Sequence, residues 1–105
     1  MNKLIKIHSA DCAICQAIGN KAIDIADTYE LGYEVVELSD LAANQSPLRD
    51  YVVGVYVTPN DGEIELPIFL VVTDEGHVQA SGVVTTLDEV KNLVKSWKLW
   101  DTSKK

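Results

Sequence analysis

The chain has 105 residues and a mass of 11.5 kDa, the length of one domain. Apolar residues make up 47% and charged residues 24%, enough to bury one modest core. Sixteen acids against nine bases leave a formal charge of -7, which phosphate backbones repel, so nucleic acid is not expected as a direct partner.

Residues 3–8, with Leu4, Ile5 and Ile7, predict a short strand. Lys6 interrupts the apolar stretch and no small-residue cleavage site follows it, so a signal peptide is not expected. The expected location is the cytoplasm, where reducing conditions argue against a permanent bridge between the two cysteines, Cys12 and Cys15. From Cys12 the spacing of Ile14, Ile18, Ala22, Ile25 and Tyr29 predicts one amphipathic helix, capped by Asp11 and left behind by Gly32. Tyr33–Leu38 is valine-rich and predicts a second strand. Ser39 and Asp40 offer a cap for a weaker helix to about residue 53, with Pro47 an obstacle in its early part.

The stretch 51–66 is ambiguous. Val52 to Val57, the turn signal Pro59-Asn60-Asp61-Gly62 and the alternating Glu63-Ile64-Glu65-Leu66 fit an extra hairpin over 52–66, or a helix end and a loop. After Pro67, Ile68–Val72 predicts a buried strand. It is far too short for the roughly 18–20 residues of a bilayer crossing, and no membrane association is expected. Thr73-Asp74-Glu75-Gly76 predicts a tight turn and His77–Ser81 a further strand. Thr86 and Glu89 form a capping box for a last helix whose apolar face is Leu87, Val90, Val94 and Trp97. Residues 101–105 are expected to be a flexible tail. The order predicts a single α/β domain over 1–105, with a central mixed four-stranded sheet flanked by helices.

Chemistry concentrates at Cys12-Ala13-Ile14-Cys15, where a strand gives way to a helix. Free N–H groups at a helix start favour a thiolate, and such settings lower a cysteine pKa from about 8.5 towards roughly 3.5–7.5. Three residues along a helix bring the second sulfur near the first. Cys12, at the tip, is then the nucleophile and Cys15, tucked behind it, the resolving thiol. A zinc site is the weaker reading, because four ligands are usual and only His8 and His77 remain as soft donors. A pair of structural buried thiols is the other plain reading. His77 is expected to face solvent, and Trp97 and Trp100 to serve packing rather than binding.

The sequence resembles the thioredoxin superfamily over nearly its whole length. It does so in the CxxC after the first strand, Leu66-Pro67 before a buried strand, the Asp74-Glu75-Gly76 turn, and Gly82 before the last helix. The resemblance implies a thioredoxin-like fold, a cis proline at Pro67 facing the sulfurs, and a backbone at Leu66 that docks an extended substrate peptide. Two departures stand out. Asp11 occupies the place of the usual tryptophan, and its carboxylate partly offsets the helix's pull on Cys12. Lys6 stands where many thioredoxins carry a buried aspartate; it either takes over that proton-handling place or, the plainer reading, snorkels from a sheet edge.

Glutaredoxins are less similar, because the places of their glutathione grip hold Ser9, Ala13-Ile14 and a single Gly82 followed by Val83-Val84-Thr85. The implied function is a dithiol–disulfide oxidoreductase, a monomer without metal or organic cofactor. Its partners would be a protein disulfide and a thioredoxin-reductase-type electron donor. The rivals are a glutathione-dependent glutaredoxin and a non-catalytic binding protein on the same fold.

Overall fold

The computed structural model describes residues 2–9, 12–18, 21–43, 46–57 and 66–103, with side chains to residue 100. Four strands, β1 (Lys3–His8), β2 (Gly32–Glu37), β3 (Ile68–Val72) and β4 (Val78–Val83), form one sheet in the order β2-β1-β3-β4. β1 and β2 run parallel, which requires a crossover between them; β1 with β3 and β3 with β4 are antiparallel. The crossover is made by α1 (Ala13–Ile18) and α2 (Ala22–Thr28), which pack on one face together with α5 (Leu87–Ser103). On the other face lie α3 (Leu38–Ala43) and α4 (Pro47–Tyr56).

Alternation along the strands divides the core in two. Leu4, Phe69 and Val71 meet Ile18, Ala22, Ala26, Val90, Val94 and Trp97 on the first face. Ile5, Ile7, Ile68, Leu70 and Val72 meet Leu41 and Val52 on the second. β3 is buried at every position, as a central strand covered on both sides must be. At its end Gly76 takes φ 87 in the turn to β4, and its N–H donates to the Thr73 carbonyl at 2.9 Å. A bulge at Val71/Val72 precedes this turn, and β4 runs to Val83, two residues past the expected end.

Several expectations are corrected. The long first helix is two helices. α1 ends at Ile18, whose carbonyl accepts from the Lys21 N–H at 3.1 Å, and α2 begins at Ala22. Ile14 is 41% exposed, so Cys15 and Ile18, not Ile14, form the buried face of α1. The chain has left α2 by Gly32, as expected: Glu30 adopts φ 59, with Leu31 N–H on Ala26 O at 2.8 Å and Glu30 N–H on Asp27 O at 3.1 Å. The second predicted helix is also two. Pro47 opens α4 at its first position, where no N–H is needed, and the Ser46 hydroxyl caps it by accepting from Arg49 N–H at 3.1 Å.

Tyr51–Tyr56 is therefore helix, and the first strand of the alternative hairpin is not formed; positions 58–65 lie outside the described residues. α5 remains helical to Ser103, into the stretch expected as a tail. Its capping box forms as expected, the Thr86 hydroxyl accepting from Glu89 N–H at 3.2 Å and donating to the Glu89 carboxylate.

Candidate redox site

β1 leaves the sheet at His8 and β3 enters it at Ile68, and Ile7 faces Ile68 in the antiparallel register. The segment leading to Cys12 and the residue Pro67 therefore sit at one end of the sheet. Cys12 stands immediately before α1. Its N–H donates to the Ser9 carbonyl at 3.1 Å and its own carbonyl accepts from Gln16 N–H at 3.1 Å, so it occupies the capping position of the helix. The cap is completed by sulfur: Cys15 N–H points at Cys12 Sγ, 3.1 Å away. Asp11, expected to cap this helix, lies outside the described residues. α1 has only six residues, so the directed N–H of Cys15 favours negative charge on Cys12 more specifically than a short helix's dipole can.

The two sulfurs differ sharply in access. Cys12 is partly exposed, whereas Cys15 is fully buried at 0%. They are joined as a disulfide, with Cα atoms 5.2 Å apart. Lys6 is the correction of most consequence. β1 is an interior strand, so no sheet edge is available for snorkelling, and Lys6 is buried at 2% exposure. Its ammonium donates to the Cys15 carbonyl at 2.8 Å, and burial pushes its pKa below the ordinary 10.5.

The Leu66–Pro67 peptide is cis. Pro67 is fully buried and its carbonyl accepts from Val84 N–H at 3.2 Å, while Leu66 packs partly buried against the second core cluster. His8 closes the same end of the sheet and lies 3.3 Å from the Glu37 carboxylate on β2. His77 is exposed beside the turn at the opposite end, so a zinc set using both histidines is not assembled. Trp97 is core, with its indole N–H on the Gln79 side chain at 2.8 Å, and Trp100 is 44% exposed.

Sequence reasoning missed one polar cluster. The Tyr56 hydroxyl donates to Ser81 Oγ at 2.7 Å and the Tyr51 hydroxyl lies 2.8 Å from the same atom. No local spacing links positions 51, 56 and 81, because a helix and a strand distant in sequence supply them.

No protein-family model matches the sequence, and no curated protein matches it. Solved structures do. Thioredoxin 1 from the thermophilic eubacterium Thermosipho africanus matches at 17% identity and TM-score 0.64, over 98% of this chain and 99% of that one. The thioredoxin pre-protein of Schistosoma mansoni matches at 14% identity and TM-score 0.64, over 91% of this chain and 78% of that one. Thioredoxin f2, solved in complex with ferredoxin:thioredoxin reductase, matches at 13% identity and TM-score 0.60, over 92% and 77%. The chain has the thioredoxin fold. The expected α/β class and mixed four-stranded sheet hold, and on this thioredoxin fold the Cys12–Cys15 pair fits thiol–disulfide chemistry.

Proposed function

We propose that the protein is a dithiol–disulfide oxidoreductase that reduces disulfides in protein substrates. One observation carries the reading: two sulfurs able to bond, one accessible and held by a directed N–H, the other buried directly behind it. The Cys12 thiolate attacks one sulfur of the substrate disulfide, and the other substrate sulfur leaves as a thiolate that takes up a proton. Cys15 then gives up its proton and attacks Cys12 Sγ, expelling the second substrate sulfur. Two electrons and two protons have passed to the substrate, and the Cys12–Cys15 bridge holds the oxidised state.

Leu66 and Pro67, at the same end of the sheet, are the residues we assign to substrate docking, through the Leu66 backbone. A reductase of the thioredoxin-reductase type returns the electrons. The thioredoxin f2 structure in complex with ferredoxin:thioredoxin reductase supports a partner of this kind. We assign the protein to the cytoplasm as a monomer, where a recharged dithiol is kept reduced.

Insulin reduction tests the reading. Turnover with thioredoxin reductase and NADPH is the expected result. Turnover with glutathione and glutathione reductase instead would make the protein a glutaredoxin. Turnover with neither would leave a binding protein with incidental cysteines.

A further inference from the structure

Among the described residues Lys6 is the one charged side chain in the core, and the mechanism above does not use it. A lysine buried at 2% exposure gives up most of its hydration. Its position is specific. The ammonium donates at 2.8 Å to the carbonyl of Cys15, the buried member of the redox pair. Standard bond lengths keep a cysteine's Sγ within about 5 Å of its own carbonyl oxygen, so the ammonium lies within about 8 Å of the Cys15 sulfur. Between buried groups that separation is screened far less than in water.

We propose that Lys6 is a positioning residue of the redox pair: its buried ammonium stabilises the negative charge carried by reduced Cys12 and Cys15 and so shifts the pair towards the dithiol state. The inference rests on the oxidoreductase reading. The disulfide carries no charge, so the cation gains nothing from it. The reduced pair carries an anion whenever one thiol is ionised, and that anion and the ammonium favour each other. Burial lowers the Lys6 pKa, and a nearby thiolate offsets the same penalty, so the coupling works in both directions. A cation in this place gives a less reducing couple than a neutral or acidic residue would. The protein is then suited to substrates with readily reduced, comparatively oxidising disulfides.

The test equilibrates the wild type, Lys6→Met and Lys6→Gln in glutathione buffers at pH 7. Free thiols are then counted by mass after acid quenching and alkylation. Both variants remove the charge; Gln keeps a donor for the Cys15 carbonyl, and far-UV circular dichroism reports which variants are folded. The expected result is a shift of about tenfold towards the disulfide in each folded variant, equivalent to about 30 mV. Unchanged equilibria, a shift towards the dithiol, or a wild-type value in Lys6→Gln alone would overturn the proposal, the last by showing that the hydrogen bond suffices. A wild-type pair that fails to exchange with glutathione at all would instead overturn the oxidoreductase reading.

Discussion

On the face covered by α3 and α4, the polar side chains inserted among apolar ones are neutral and satisfy each other: two tyrosine hydroxyls converge on Ser81. On the face covered by α1, α2 and α5, the inserted groups include a full charge, the Lys6 ammonium, which is turned towards the backbone of the cysteine motif. A neutral hydroxyl that keeps a partner is cheap to bury, and the Tyr–Ser cluster is accounted for by packing α4 against β4. A lysine ammonium costs more to bury, and this one donates to the Cys15 carbonyl. The difference teaches that polarity alone does not mark function. What sets the candidate site apart is a charge placed against the cysteine motif.

Substitutions on the two faces sharpen the contrast. Cys12→Ser should abolish disulfide reduction while leaving the fold intact, whereas Tyr51→Phe should leave turnover near the wild-type rate; insulin assays on both check this. Ser81→Ala deprives two phenols of their partner and should cost about 1–3 kcal/mol in urea unfolding, with little effect on the redox equilibrium.

Lys6→Met should remove a pH dependence of stability that the wild type carries above pH 7. The sign follows from linkage. The folded pKa of Lys6 lies below its unfolded value of 10.5, so the folded state binds fewer protons in between. Wild-type stability therefore gains on that of the variant as pH rises through the folded pKa towards 10.5. Unfolding at pH 7 and pH 10 would show it; a gap independent of pH would contradict the account. The smallest effect is expected at the end of α2, away from both polar groups. Glu30 holds φ 59 there, and Glu30→Gly should raise stability by about 0.5 kcal/mol by relieving the left-handed conformation.

Much of this was legible in the sequence. β1, β2 and β3 stand out as β-rich runs, and the capping box at Thr86 and Glu89 marks the last helix. The candidate cysteine pair was visible as well, because a CxxC between a strand and a helix is a local signal. The helix breaks were less visible. Apolar spacing continues from α1 into α2 although the helices are separate, and the end of α2 is set by a glutamate doing what a glycine usually does. Pro47 is an obstacle inside a helix and an ideal first residue of one, and only the Ser46 cap decides between the two. Lys6 was misjudged for a different reason. Whether a strand is an edge or an interior strand depends on pairing between distant segments, and nothing local to residues 3–8 reports it. Ser81 with its tyrosines was invisible on the same ground.

The central claim is that Cys12 attacks and Cys15 resolves. Incubating reduced Cys15→Ser protein with a disulfide-bonded substrate, and weighing the products under non-reducing conditions, tests it most directly. The account predicts a stable one-to-one mixed disulfide through Cys12 and no catalytic release of reduced substrate. Full reductase activity in Cys15→Ser, or no adduct at Cys12, would contradict it.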